Sequence, residues 1–155
     1  MTTRRSFLIL AAGAAAAPAL AQVPANIQAL RRAALQEAVR KVTGGAAIRS
    51  GKVKLDIPPL IDNGNSVPVT VTVESPMTPG DHVQAIHIFT EKNPQPNVLA
   101  ARLGPRSGRA TVSTRARIAD TGIVMALAQL SDGSFWSDEA NVVVTLSACL
   151  EDGLI

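Results

Sequence analysis

The single cysteine of the sequence, Cys149, is the residue with the clearest capacity for covalent chemistry. It lies in the segment SACLEDGLI (147–155), with six residues after it. A lone thiol cannot form an internal disulfide, and a terminal segment seldom buries a small apolar residue. The position favours covalent chemistry with a molecule that reaches the segment. A disulfide between two copies of the chain, or no chemical use at all, stays open at this point.

The two histidines, His82 and His87, could in principle join Cys149 as metal ligands. Three scattered ligands without short-range pairing are weak evidence for a metal site. We therefore predict no metal and no cofactor. Both histidines are expected to lie at a turn edge or half-buried on one strand.

Five arginines form the densest positive stretch and could attract a small anion: Arg102, Arg106, Arg109, Arg115 and Arg117. A solvated strand face is the favoured interpretation of this stretch. Trp136 is expected to cap one end of a core, although a surface tryptophan could also anchor a partner. The sequence contains no Gly-x-Ser-x-Gly elbow and no Gly-rich loop followed by Lys-Ser or Lys-Thr. Hydrolase and nucleotide-binding functions are therefore left without support.

The first 21 residues predict a cleaved export signal. MTTRRSFLILAAGAAAAPALAQ has Arg4 and Arg5 before an apolar run, and Ala19-Leu20-Ala21 as a cleavage signal. TRRSFL resembles the twin-arginine signal, which indicates a periplasmic protein. Cleavage removes two of 15 basic residues and none of the 12 acidic ones, so the net charge falls from +3 to +1. Nucleic acid is therefore an unexpected partner, and the apolar run is too short to predict a membrane anchor.

Apolar residues at helical spacing predict a helix over residues 26–43, within an N-terminal segment 22–45. Asn26 can cap its start, and Gly44-Gly45 can end it after the basic pair Arg40-Lys41. Residues 46–146 instead show the alternation and turn signals of strands. The predicted strands are 52–57, 67–73, 82–89, 97–103, 109–118, 123–130, a strand from 135 onward, and 140–146.

About seven strands at short spacing predict an all-β fold, an immunoglobulin-like antiparallel β-sandwich preceded by the N-terminal helix. Asp132-Gly133 predicts a hairpin turn before Phe135. Residues 147–155 are then a C-terminal tail that carries Cys149. Neither an internal repeat nor a second domain is predicted.

Two long stretches together resemble the SoxY family, the periplasmic carrier proteins of bacterial thiosulfate oxidation. They are residues 39–98 and 113–136, and the runs NGNSVPVTVTVESPM, AIHIF and LSDGS are specific. The resemblance implies a sandwich that pairs with a second small sandwich protein, SoxZ. It also implies that thiosulfate is attached to a cysteine on a mobile C-terminal arm and presented in turn to separate enzymes. Those enzymes would be c-type cytochromes and a metal-dependent, sulfate-releasing hydrolase.

In such carriers the arm ends Gly-Gly-Cys-Gly-Gly, and the cysteine at the matching position is Cys149. This chain has no glycine beside the thiol, and Leu150 follows it directly. Glu151 and Asp152 are expected to disfavour the thiolate and repel sulfur oxyanions. An extended chain from Val144 to Cys149 spans at most roughly 17 Å. The alternative function is a noncatalytic SoxY-like module that binds a SoxZ-like protein and carries no sulfur.

Overall fold

The computed structural model describes residues 25–147. The predicted export signal and Cys149 therefore lie outside the described residues. Within residues 25–147, no helix is long and apolar enough to cross a membrane.

Helix α1 spans Ala25–Thr43, which confirms the predicted helix. It buries Leu35 and Val39, two members of the predicted apolar stripe. Gly44 adopts a φ of 62°, in the left-handed region that favours glycine. Its N–H donates to the carbonyl of Arg40 at 2.8 Å and so ends the helix.

Nine strands follow within the described residues, and a short 3₁₀ turn, Pro105–Ser107, separates the sixth from the seventh. The strands are β1 Ile48–Ser50, β2 Val53–Asp56, β3 Leu60–Ile61, β4 Val67–Val73, β5 Val83–Thr90, β6 Asn97–Arg102, β7 Thr111–Ala116, β8 Gly122–Leu130 and β9 Phe135–Val144.

Two features of this strand set differ from the sequence prediction. Strands β1 and β3 were not predicted, because three and two residues are too short to show a period. The segments predicted separately from 135 and at 140–146 form one ten-residue strand, β9. Its polar middle, Ser137-Asp138-Glu139, interrupts the apolar alternation without interrupting the ladder to β8.

The strands form two sheets, and the predicted sandwich is confirmed. The larger sheet has the order β1-β9-β8-β5-β6, with β3 also paired to β9, and the smaller sheet is β2-β4-β7. The pairs between the longer strands are antiparallel. The two short strands are the exceptions, because β1 and β3 each pair with β9 in parallel.

The main core lies between the sheets and is aliphatic. The alternating valines of β4, from Val67 to Val73, face Ile86 and Ile88 of β5 across this core. A second cluster lies on the outer side of the larger sheet, where α1 covers Phe89 and Leu127. The hairpin after β8 turns at Gly133, whose φ is 81°, as the Asp-Gly signal predicted.

Candidate functional site at the end of strand β9

The chain leading to Cys149 is fixed at the end of β9. The N–H of Val144 donates to Thr121 Oγ1 at 2.9 Å, and the N–H of Thr145 donates to the carbonyl of Ile61 at 2.9 Å. The N–H of Gly64 donates to the carbonyl of Leu146 at 2.9 Å. We call residues 144–147 the arm root. It is held by the hydroxyl of Thr121 and by backbone groups of Ile61 and Gly64, and therefore has a defined position.

The turn at residues 63–66 supports the arm root from one side. Asn63 Oδ1 accepts from the N–H of Asn65 at 2.9 Å, which stabilises the turn. The carbonyl of Gly64 accepts from the N–H of Ile118 at 2.8 Å. Gly64 thus connects the arm root to the chain that follows β7.

The arm root shortens the free arm compared with the sequence estimate. Leu146 has the last backbone hydrogen bond of the described chain, and Ser147 Oγ donates to Asp120 Oδ1 at 3.5 Å. Cys149 is three residues beyond Leu146, and three residues span at most about 11 Å. The span of roughly 17 Å was counted from Val144, and these hydrogen bonds move its starting point to Leu146.

Exposed apolar side chains surround the arm root. Leu60 and Val143 are register partners, with 59% and 45% of their surface exposed, and Leu146 is 57% exposed. We call these three residues the arm-root patch. They are three of the five large hydrophobic side chains exposed in residues 25–147, so the described apolar exposure is concentrated where the arm begins.

A groove of about 390 Å³ lies between the free edges of β6 and β7, and we call it the arginine groove. Arg115 and Arg117 line it together with Asn93, Val98 and Leu99. Arg115 Nη1 donates to the carbonyl of Ser66 at 3.3 Å. The Asn93 amide donates to the carbonyl of Arg117 and accepts from the N–H of Ala119, both at 2.8 Å. These bonds place the groove at the same end of the sandwich as the arm root.

The five arginines do not converge on one anion site. All five are exposed, as the solvated interpretation predicted. Arg115 and Arg117 line the arginine groove, whereas Arg102 lines a different cavity beside His82 and His87.

The two histidines belong to strand β5 and the residue before it. His87 stacks on Phe89, with ring centroids 5.9 Å apart, on the outer side of the larger sheet. Burial lowers the pKa of His87 below its ordinary value of 6.5, and the positive charge of Arg102 lowers it further. His82 Nδ1 lies 3.2 Å from the carbonyl of Thr78. No group of three or more potential metal ligands occurs within residues 25–147.

Trp136 lies at the start of β9, opposite the arm root. Its indole N–H donates to Ser134 Oγ at 3.0 Å, and its ring packs against the main core. Lys52 Nζ and Arg49 Cζ lie 5.0 and 5.7 Å from the ring centroid. The tryptophan therefore closes one end of the core, as the sequence predicted.

The buried carboxylate of Glu91 was not predicted from the sequence. Its side chain is 5% exposed and pairs with Arg32 at 3.3 Å and Lys92 at 3.7 Å. It also accepts from the N–H of Ile123 at 3.4 Å. Only the adjacent lysine was visible in the sequence, because Arg32 is 59 positions away. Glu91 connects α1 to the end of β5 and has a structural role.

Comparisons with known proteins give a consistent family and fold. The family model described as sulfur oxidation protein SoxY matches residues 39–149. The structure of the sulfur carrier protein SoxY from Chlorobium limicola f thiosulfatophilum is 29% identical, with a TM-score of 0.61. That match covers 74% of this chain and 99% of the other. No curated protein sequence matches the chain.

Superoxide reductases share the fold at lower identity. A superoxide reductase (neelaredoxin) from Ignicoccus hospitalis is 14% identical with a TM-score of 0.56, covering 63% of this chain and 94% of the other. A putative superoxide reductase from Thermotoga maritima is 19% identical with a TM-score of 0.52, covering 66% and 89%. At these identities the similarity indicates the sandwich architecture alone.

Proposed function

The chain belongs to the SoxY family of sulfur oxidation proteins, and from this premise we propose that it carries sulfur intermediates of thiosulfate oxidation on the thiol of Cys149. The observation that carries the proposal is the extent of the family match, which ends at residue 149. The only cysteine of the chain is thus the last matched residue. The related Chlorobium protein is itself a sulfur carrier.

The arm root supports this proposal physically. A carrier must keep its thiol near its own surface and yet let it enter the sites of other proteins. Hydrogen bonds fix the chain as far as Leu146, and Cys149 follows within about 11 Å. The thiol therefore extends from a defined point, which limits the volume that a partner enzyme must search.

The proposed chemistry begins with oxidative attachment of thiosulfate. The Cys149 thiol loses a proton, and its sulfur bonds to the outer sulfur of thiosulfate as two electrons pass to a c-type cytochrome partner. The product is an S-thiosulfonate on the arm. Water then attacks the terminal sulfonate, which leaves as sulfate with release of two protons, and a persulfide anion remains on Cys149. Both enzymes act on the arm, so the protein is a carrier and not a catalyst.

We also propose the partner and compartment that this role requires. The partner is a SoxZ-like sandwich protein that forms a heterodimer with this chain. The compartment is the periplasm, reached through the twin-arginine signal at Arg4 and Arg5. Cleavage after Ala21 would leave residues 22–155 as the mature carrier.

A substitution test separates this function from its alternative. Cys149→Ser, expressed in place of the native chain, is expected to abolish thiosulfate-dependent oxygen uptake by the cells. Ala148→Ser serves as the matched control, because it places the same hydroxyl one residue away without removing the thiol, and it is expected to leave oxygen uptake unchanged. Unchanged oxygen uptake with Cys149→Ser would exclude sulfur carriage through this thiol. It would favour the noncatalytic binding module, for which the bulky residues Leu150 and Ile155 argue.

A further inference from the structure

We propose that the arginine groove is a docking site for the chain's own C-terminal segment, residues 148–155, with Glu151 and Asp152 against Arg115 and Arg117. Docking goes beyond sulfur carriage and does not require it. It assigns a use to the residues that distinguish this arm from a glycine-flanked one.

Charge complementarity is the first argument. Within residues 25–147, no carboxylate forms an ion pair with the guanidinium of Arg115 or of Arg117. Both side chains are exposed at the groove. The segment CLEDGLI supplies two adjacent carboxylates and no cation. Arg115 and Arg117 therefore carry two positive charges that no described carboxylate neutralises, and the segment carries charges of the opposite sign.

The apolar part of the groove is the second argument. Val98 and Leu99 are half-buried, pack against the main core and line the groove beside the arginines. The segment places Leu150 directly before its two acidic residues and Leu154 soon after them. In an extended segment Leu150, Asp152 and Leu154 share one face, which can lie against the apolar lining and one arginine. Glu151 is on the other face, and its longer side chain can reach the second arginine at the rim of the groove.

The third argument is reach. Ser147 lies against Asp120, with 3.5 Å between their side-chain oxygens. Asp120 is three residues from Arg117, a span of at most about 11 Å, and Glu151 is four residues from Ser147, a span of at most about 14 Å. The acidic residues can therefore reach the groove without moving the arm root.

The arm-root patch is the competing docking site, and it lacks a positive charge. The patch offers apolar contacts through Leu60, Val143 and Leu146, none of which can pair with Glu151 or Asp152. The positive charge of the arginine groove favours the segment instead.

Weak contacts are sufficient for docking because the segment belongs to the same chain as the groove. Exposed ion pairs contribute little when the partners are separate molecules. A short covalent connection raises the local concentration of the segment to about the millimolar range, so two ion pairs and one apolar contact can populate a docked state. Docking would hold the thiol of Cys149 against the sandwich until a partner displaces the segment.

Paramagnetic broadening tests the proposal directly, because Cys149 is the only cysteine and accepts a single nitroxide label. The experiment uses ¹⁵N-labelled protein isolated after export, at low salt. We expect a loss of the amide signals of residues 97–99 and 114–117 that depends on Arg115 and Arg117. The amides of residues 60–64 contact the arm root, so the label broadens them whether or not the segment is docked. Reduction of the nitroxide returns the lost signals. Raising the salt to about 1 M, where the Debye length is about 3 Å, is expected to return them partly.

Charge variants supply the matched control. Arg115→Gln with Arg117→Gln is expected to abolish the selective loss, whereas Arg106→Gln with Arg109→Gln leaves it unchanged. All four side chains are exposed, and the amide spectrum of each variant reports its fold. Unbroadened amides at residues 97–99 in the native chain, or the same broadening there in the native chain and in Arg115→Gln with Arg117→Gln, would overturn the proposal. No sulfur compound or enzyme enters the measurement, so its failure leaves carriage through Cys149 untouched.

Discussion

Cys149 supplies a nucleophile, and the fold places neither histidine at the arm root to activate it. His82 is at the start of β5 near Thr78, and His87 stacks on Phe89. The arm root lies at the opposite end of the larger sheet, beside Asp120 and Thr121. In the proposed mechanism, activation of the thiol is therefore expected to come from a partner protein.

His87 is expected to make the free energy of unfolding depend on pH. Its lowered pKa means that the unfolded chain binds a proton more tightly than the folded protein does. The free energy of unfolding is therefore expected to fall as the pH drops through 6.5, and to stop falling below the folded pKa. His87→Gln should flatten this dependence, and His82→Gln should retain it. Urea unfolding at several pH values between about 5 and 8 measures both, and equal slopes in the two variants would contradict the prediction.

Glu91 is expected to matter more for stability than an exposed glutamate in a similar pair. Glu91→Gln weakens the contacts with Arg32 and Lys92 in a buried setting. We expect a loss of about 1–3 kcal/mol in the free energy of unfolding. Glu37→Gln is the matched control, because Glu37 pairs with Arg40 on the exposed side of α1. Its effect is expected to stay within about 0.5 kcal/mol. Equal losses in a urea titration would contradict the role given to Glu91.

At the level of secondary-structure elements, the end of β9 fixes the point from which the chain continues towards Cys149. Strand β3 contributes only two residues, yet it forms a backbone contact with Thr145 beyond the last residue of β9. The turn at 63–66 adds the contact with Leu146. Backbone hydrogen bonds therefore continue for two residues beyond the end of β9, as far as Leu146.

The side chain of Thr121 tests this anchoring. Thr121→Val removes the hydroxyl that accepts from the N–H of Val144 at 2.9 Å. A lost hydrogen bond of this kind costs about 1 kcal/mol, so the amides of Val144 and Thr145 are expected to exchange with solvent about fivefold faster. Thr72→Val, at an exposed position of β4, is the control. Unchanged exchange in Thr121→Val would show that the arm root is held by other contacts.

Sequence patterns predicted the elements that have a clear period and missed those that depend on distant partners. The valine alternation of β4 and the stripe of α1 are local signals, and both elements formed as expected. Strand β3 exists because it pairs with Val143 and Val144, far later in the chain, which no local pattern encodes. Strand β9 was predicted as two strands because its polar middle lacks the apolar alternation. Pairing with β8, which no local pattern encodes, keeps the strand continuous.

At the scale of the whole molecule, the proposed export depends on the arginine pair Arg4-Arg5. Arg4→Lys with Arg5→Lys is expected to leave the chain in the cytoplasm at its precursor length, because the twin-arginine pathway reads this pair. Arg31→Lys with Arg32→Lys, a second arginine pair within α1, is the matched control and should still be exported. Cell fractionation and immunoblotting compare the variants. Normal export of the first variant would contradict the twin-arginine assignment.

The candidate site was predictable in part from the sequence. Cys149 could be chosen because it is the only thiol and matches the position of a carrier cysteine. The arginine groove could not, because Arg115 and Arg117 meet Asn93 and Val98 only after β6 and β7 fold into edges of different sheets. The sequence shows that five arginines occur close together along the chain. It does not show that Arg115 and Arg117 are the two that line a groove beside the free edge of β6.

Intact-mass spectrometry of the exported protein tests the central claim most directly. Protein isolated from the periplasm of cells grown on thiosulfate, without reductant, is expected to carry added sulfur on Cys149. The expected gains are one S₂O₃ unit for the thiosulfonate and one sulfur atom for the persulfide, both removed by reducing agent. The Cys149→Ser protein from the same cells should show neither gain. An unmodified thiol in protein from cells that are oxidising thiosulfate would contradict sulfur carriage by this chain.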